Sequence, residues 1–577
     1  MSAFASVRER IIMRTVDDAA ASRLSKELGI PHAAAQILVG RNLTDAGACR
    51  RFFAPSLKDF HDPFLFGDME KTVARIDAAI SRKEKIAVYG DYDVDGITGT
   101  AMLIRVLRTL GAPCSYYLPH RLTEGYGVSE TGVRQIAESG AALMVTVDCG
   151  ITAVEEIALA AALGIDVIVT DHHEPKAEGL PRDAFSILNP KLPESGYPDI
   201  DLAGVGVVLK LCQALGNKTG RGDSLWEPYL DLAALGTAAD IVPLGGENRI
   251  ITRFGFERLH RTKNTGLAAL VKLQGLGGKA VSTNEVAFQL APCINAAGRL
   301  GDPYRAVELM LTDHEETALE YARELKAANY ERRAIDSSVW KEAQAWVLQH
   351  CDPEKDFAIV TGNSSWHAGV IGIVASKCAE KFHRPAVLFS IGNDGSARGS
   401  GRSIPGFHLL DALRECAGLL ETFGGHAAAA GMNIKSASID AFRSRFNEVA
   451  RSRLKPQDLV PLVYADAELP LAALTPQLFS LIKAMEPFGP GNLRPVLYCR
   501  NLHYRYTPRI VGNNHLKMTV AADGPAQGQV FDAIGFNFGD RLDELRGAAS
   551  MSLAFSLDEN EWNGKKSLQM KVRGIAL

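Results

Sequence analysis

Nine cysteines occur in 577 residues, yet no two form a C-x-x-C pair. That absence speaks against a structural zinc site. The lack of any even spacing speaks against a disulfide framework, so a reducing compartment, the cytoplasm, is expected. No run of eighteen apolar residues is present, so no membrane-crossing helix is expected. The opening residues, MSAFASVRERIIMR, lack the apolar core and small-residue cleavage site of a secretory signal. Positive charge is not in excess: 63 Lys and Arg stand against 67 Asp and Glu, a net charge of −4. A polyanion must then be met locally or through a metal. Nucleotide cradles are missing too. Gly278-Lys279 lacks the Walker spacing and is followed by Ala280, and Gly204-Val205-Gly206 lacks its third glycine. The latter reads as a place where a helix packs closely.

One stretch is crowded instead. VYGDYDVDGITG, residues 88–99, sets Asp91, Asp93 and Asp95 at alternate positions before Gly96, with no base among them. Carboxylates this close repel unless a cation joins them. D-x-D-x-D-G matches half of an EF-hand loop, but position twelve is Met102 instead of Glu, and a strand-like run, KIAVYG, precedes it. Calcium sensing is therefore set aside. Two further strand-like runs end in acid, ALMVTVDCG at Asp148 and IDVIVTDHH at Asp171-His172-His173, and Asp240 in LGTAADIVPL is a fourth candidate. One such turn alone would read as solvated surface, and one histidine as core. Carboxylates with an imidazole suit Mn²⁺ or Mg²⁺. Two such ions sharing a carboxylate would activate a water and neutralise a phosphate.

Strand-like and helix-like runs alternate from Lys85 to Asp240, the pattern of an α/β parallel sheet. Ligands in such sheets bind beyond the carboxyl ends of the strands, where these polar residues fall. A helix is expected from Thr98 to Leu110, with Leu103, Val106, Leu107 and Leu110 on one face. Between Pro303 and Pro353 there is no Gly or Pro. This reads as a long helix, or two end to end, joining a first domain to a second; a helix packed inside one domain is the alternative. The second domain opens at FAIVTG and carries the Gly-rich WHAGVIGIVAS, ARGSGRSIPGFHLL and FGGHAAAAGM. The expected boundaries are an N-terminal segment 1–70, an α/β domain 71–302, a connecting helix 303–353, a smaller α/β domain 354–452 and a β-barrel 453–577.

From Pro487 to Ala522 there is no Asp or Glu, while Arg494, Arg500, Arg505, Arg509 and Lys517 alternate with Tyr498, Tyr504 and Tyr506. Cations that follow a backbone and aromatics that stack bases make a sequence-tolerant single-strand site. A barrel with aromatic core and solvated charges fits the same alternation. In ARGSGRS, glycine N–H groups with Arg398 and Arg402 could hold a phosphate, and an ordinary turn is the alternative.

The combination YGDYDVDGITG, VTVDCG, TDHHEP and GTAADIVPL resembles the DHH phosphoesterase superfamily. GSGRSIPGFHL and FGGHAAAAG resemble its DHHA1 region, and the barrel resembles an oligonucleotide-binding (OB) fold. With RLTEGYGV and INAAGRL, the chain is similar over nearly its whole length to that superfamily's single-strand-specific 5′→3′ DNA exonucleases. The resemblance implies two ions, Mn²⁺ or Mg²⁺, held by Asp91, Asp93, Asp95, Asp148, His172 and Asp240, with Asp148 bridging. It implies that His173 orients its neighbours or the scissile phosphate. Arg121, Asn295, Arg299, Ser400, Arg402 and His426 match positions that hold DNA or its 5′ phosphate. The expected barrel track is Arg494, Arg500, Tyr504, Arg505, Arg509 and Lys517. If the long helix folds the second domain over the first, Arg299, Ser400 and Arg402 would meet near the ions and select the 5′ end. Cys293 stands where the family often has a base, so one DNA contact is expected to be missing. The implied activity is two-metal hydrolysis of single-stranded DNA to 5′-mononucleotides in repair and recombination, by a monomer with single-strand-binding protein as partner. A small-substrate phosphodiesterase or pyrophosphatase is one rival, weakened by the extra barrel. A non-catalytic DNA-binding scaffold is the other, weakened because no ligand is missing.

Overall fold

The structure, a computed structural model, describes residues 8–120, 124–125, 127–175, 179–300, 302–522, 529–562 and 565–577. The chain forms two compact units. One comprises Arg50–Glu331 with Met485–Leu493; the other comprises the chain up to Cys49, Arg332–Ala484 and Arg494–Leu577.

The first unit is built on five parallel strands: β1 (Lys85–Gly90), β2 (Cys114–Tyr117), β3 (Ala141–Val147), β4 (Asp166–Thr170) and β5 (Ser186–Leu188). Their order is β2-β1-β3-β4-β5, so the winding reverses between β1 and β3. Such a reversal opens a crevice at the carboxyl ends of those strands. Helix α1 (Val94–Thr109) follows β1, and α2 (Glu130–Glu138) and α3 (Val154–Ala162) flank β3. α4 (Gly204–Lys218), α5 (Leu230–Ala239) and α6 (Gly246–Leu259) follow the sheet. α1 is buried from Val94 to Ile104, because α4 and α5 pack on it and the sheet lies beneath. It starts four residues before the expected Thr98. The apolar period alone misses the first turn, because the Asp93 side chain caps it and recruits Asp95 and Gly96 into the helix.

α7 (Ala291–Leu300) is followed, after a shorter helix, by α8 (Glu315–His350), 36 residues long. The second unit includes a mixed five-stranded sheet made of β6 (Ile359–Asn363), β7 (Ala386–Ile391), β8 (Ser396–Arg402), β9 (Thr422–Gly425) and β10 (Ala429–Lys435), in the order β9-β10-β8-β7-β6. Only β6 and β7 are parallel, and α9 (Ile371–Phe382) joins them. Five strands close the barrel: β11 (Leu497–Val511), β12 (His515–Ala522), β13 (Val530–Gly535), β14 (Met551–Trp562) and β15 (Lys565–Ala576). Closure comes from the β11–β14 pairing. The start of the chain joins the second unit. The strand Arg10–Met13 runs parallel to Leu462–Ala465 just before the barrel, and Glu9 takes Arg541 Nη1 at 2.8 Å. A strand with no neighbour in sequence has to find an edge elsewhere. All nine cysteines are free. Among the described residues no helix is long and apolar enough to cross a membrane.

Candidate metal centre

Asp91 directly follows β1, and its N–H still donates to Val147 O on β3 at 3.2 Å. Two residues on, Asp93 Oδ1 accepts from Asp95 N (2.9 Å) and Gly96 N (3.2 Å). A Cβ on Gly96 would stand 2.5 Å from Asp91 O, so this fold-back requires glycine. The D-x-D-x-D-G spacing is thus one turn with three jobs: a strand end, a cap and a first-turn carboxylate. Asp95 accepts from the first two N–H groups of α4, Gly204 N on Oδ2 (2.7 Å) and Val205 N on Oδ1 (2.9 Å), where the helix dipole favours an anion.

Asp148 closes β3 in the left-handed region, φ 62°, strained for a residue with a Cβ. A Cβ on Gly204 would lie 2.6 Å from Asp148 Oδ1, so that glycine brings α4 against two carboxylates at once. Beyond β4, Asp171 accepts from Ile151 N, His172 N, His173 N and His173 Nδ1 at 2.9, 2.7, 3.0 and 2.8 Å. It is an organiser: four donors use its oxygens, and they hold the His173 ring and the backbone of both histidines. His172 Nε2 lies 3.2 Å from Asp148 Oδ1, 3.4 Å from Asp240 Oδ2 and 3.9 Å from Asp95 Oδ2. Asp240 caps the C-terminus of α5 and Asp95 sits in a helix, so the expected placement of every acid at a strand end is corrected for these two. Single ligand atoms cluster within 4.8 Å in three overlapping sets: Asp91, Asp93, Asp148; Asp95, His172, Asp240; and Asp148, His172, His173.

Asp148 Oδ1, Asp240 Oδ2 and His172 Nε2 are buried with no hydrogen-bond partner among the described residues. Each such atom costs about 1–3 kcal/mol, and more when charged. Burial, then the charges of Asp95 and Asp93, holds the Asp148 carboxyl well above its ordinary range. The same causes push Asp240 up to about 9; burial and then Asp93 push Asp95 up to about 7. Burial and the neighbouring His173 drive His172 down to about 3, which leaves its imidazole neutral with a lone pair for a metal. Burial lowers His173, but the Asp171 hydrogen bond and charge outweigh it and raise the pKa. Several buried carboxylates and one neutral imidazole, orphaned without a cation, fit hard divalent ions.

The remaining expected residues fall in several places. Asn295 and Arg299 are one turn apart on α7, which packs so closely on the acidic turn that a Cβ on Gly298 would lie 3.2 Å from Tyr92 O. Cys293 is fully buried; Gln274 Nε2 lies 2.8 Å from its Sγ, which donates to Gln289 O. A side chain there faces the core. Arg121 lies outside the described residues. Ser400 and Arg402 share β8, with Arg402 Nη1 donating to Ser400 Oγ at 3.1 Å beside Gly372 in the first turn of α9. His426 lies in the exposed turn between β9 and β10.

The barrel track divides. Arg500 is held bidentately by Glu468 (2.6 and 2.9 Å) over the Tyr498 ring, and Arg494 lies 4.0 Å from Asp558. Arg509, about 30 Å of strand beyond Arg500, pairs directly with Lys517 across β11 and β12. Exposed Tyr506 pairs with Thr519 in the same ladder; Arg505 is exposed and Tyr504 half-buried. Asp171 reads in the sequence as a strand-end acid with no role of its own, and Gly204 as a packing position only. The available signals were an acid abutting His-His and a glycine pair opening a helix.

A model of the DHH family, N-terminal domain, matches residues 85–237; a DHHA1 domain model matches 355–452; and a RecJ OB domain model matches 465–574. The chain is 39% identical over 556 residues to the single-stranded-DNA-specific exonuclease RecJ of Bacillus subtilis (strain 168), covering 96% of this chain and 69% of that protein. Against the protein of the same name from Escherichia coli (strain K12) it is 37% identical over 530 residues, 88% of this chain and 90% of that one. The crystal structure of RecJ in complex with Mn²⁺ from Thermus thermophilus matches with a TM-score of 0.83 and 30% identity, over 99% of this chain and 79% of that one.

Proposed function

The chain belongs to the RecJ family, and we propose that it hydrolyses single-stranded DNA from the 5′ end to 5′-mononucleotides. The observation that carries this reading is the set of orphaned ligand atoms on Asp148, His172 and Asp240 at the sheet's switch point. Asp91, Asp93, Asp148, His172, Asp240 and Asp95 would hold two divalent ions, Mn²⁺ or Mg²⁺, with Asp148 common to both. Bound there, such ions lower the pKa of water and neutralise charge on a phosphate. The chain's own residues do the rest. Asp171 holds His173 Nδ1 at 2.8 Å and raises the pKa of the ring, which orients it as a donor for a scissile phosphate oxygen. Ser400 and Arg402 offer a hydroxyl and a guanidinium beside the start of α9, chemistry suited to a terminal phosphate. The reading extends to the cytoplasm, supported by nine free cysteines, and to single-strand-binding protein as a partner, supported by family resemblance alone.

Two labelled strands test polarity. With Mn²⁺, a 5′ label should appear as mononucleotide at the earliest times while a 3′ label stays in long products. Early release of the 3′ label, or cleavage in chelator, would refute the reading.

Arg509 and Lys517 are like charges directly opposite, a pairing that destabilises a sheet unless an anion lies between them. With Tyr506 beside them, they form the better-supported part of the barrel track. Replacing both by alanine should lower the slope of log affinity against log salt for long single strands by about 1.4, at roughly 0.7 per phosphate. Barrel stability should hold or rise, and hydrolysis of di- and trinucleotides should be unchanged. An unaltered slope would remove this face from the DNA path.

A further inference from the structure

α6 opens with three consecutive buried polar side chains, and each reaches a different segment. Glu247 takes Lys210 Nζ (2.9 Å), Tyr197 OH (2.5 Å) and His61 N (3.0 Å). Arg249 donates to Phe52 O, Met485 O and Glu486 O at 2.9, 3.0 and 3.0 Å. Between them stands Asn248, with no exposed surface. Its Nδ2 donates to Asp201 O (2.5 Å) and Pro243 O (3.0 Å), and its Oδ1 accepts from Ala203 N (3.4 Å).

The two segments it joins are the ones that carry Asp95 and Asp240. Asp201 and Ala203 immediately precede α4, whose first two N–H groups grip Asp95. Pro243 is three residues beyond Asp240. The turn between is strained: Ile241 is β-branched, sits at φ 65° and is 74% exposed. Such a conformation costs about 1–3 kcal/mol and persists only where the surroundings over-determine it. It is held on one side by α5. On the other side it is held by Asn248 on Pro243 O and by Leu244 N donating to Pro490 O at 2.8 Å.

We propose that Asn248 is a positioning residue for one of the two ions. It sets the separation of Asp95 and Asp240, which share His172 as neighbour, and has no hand in the Asp91, Asp93, Asp148 set. The assignment rests on the metal reading above. An amide is required because the site presents two carbonyls and one N–H. A carboxylate would face two carbonyls without a donor, and glutamine would need an extra methylene in a space with no exposure. The partner groups are backbone atoms on both sides, so the side chain acts on spacing and adds no charge of its own.

The test is Mn²⁺ titration of the full chain, followed by free-ion electron paramagnetic resonance, on wild type, Asn248→Asp and Asn248→Ser. Wild type should bind two ions. Both variants should keep one ion at wild-type affinity and bind the other about 10–100-fold more weakly, the usual scale for losing a partner behind a ligand. kcat should fall by a similar factor at low Mn²⁺ and recover as Mn²⁺ is raised, with KM for DNA unchanged. Two ions at wild-type affinity in either folded variant, or equal loss of both, would overturn the assignment. If neither variant folds, Asn248 is architectural and the proposal fails. Wild type that binds no Mn²⁺ would sink the metal reading itself.

Discussion

Asp148→Asn should abolish both ion sites and lower turnover on the order of 10⁴-fold, the scale of removing one member of a catalytic unit. Asparagine is the apt replacement because residue 148 sits at φ 62°, which asparagine tolerates better than alanine does. Asp148 Oδ1 lies 3.2 Å from His172 Nε2, and Asp148 also clusters with Asp91 and Asp93, the placement a shared ligand requires. The metal-free fold should gain stability at the same time. Burial and the charges of Asp95, Asp93, Asp240 and Asp91 hold the Asp148 carboxyl well above its ordinary value. A raised folded-state pKa means that the folded chain binds more protons than the unfolded one above pH ~4, so metal-free stability falls as pH rises through that window. The variant lacks this group, so its metal-free Tm should exceed that of wild type at pH 8 and fall less steeply between pH 5 and 9. Turnover near wild type, or a lower metal-free Tm with the same pH slope, would contradict the shared-ligand role.

Arg402→Ala should cost substrates with a 5′ phosphate about tenfold or more in kcat/KM relative to those with a 5′ hydroxyl. A terminal phosphate carries more charge than an internal diester, and each charge-assisted hydrogen bond is worth roughly 1.5–3 kcal/mol. Arg402 is oriented for such a bond: Nη1 donates to Ser400 Oγ and to Gly401 O at 3.1 and 2.8 Å. Its Nη2 would lie 3.1 Å from a Cβ on Gly372, so the guanidinium is seated tightly at the start of α9. Equal losses on the two ends would move Arg402 to the general DNA path, and no loss on either would remove it from the site.

The acids were legible because their spacing is a one-dimensional record of strand ends, where a parallel sheet gathers ligands. Asp91, Asp148 and His172 could be read in this way. Asp240 and Asp95 were found as residues but put on the wrong element. Their carboxylates reach the centre from a helix cap and a first turn, and capping by a side chain leaves no hydrophobic period to detect. Asn248 was invisible because its partners are backbone atoms 47, 45 and five residues upstream, which no spacing rule encodes. Composition placed Arg500 and Arg509 on one track, but it could not foresee that Glu468, outside the acid-free window, claims one of them. The pairing of Arg10–Met13 could not be read for a similar reason: the partner strand lies some 450 residues away.

The central claim is that the buried ligand atoms of Asp91, Asp95, Asp148, His172 and Asp240 surround two divalent ions. Anomalous diffraction at the manganese edge from crystals grown with Mn²⁺ tests it most directly. The account predicts two peaks at the carboxyl ends of β1 and β3, with Asp148 contacting both and His172 and Asp240 contacting one. No peak there, or a single peak that Asp148 does not touch, would contradict it.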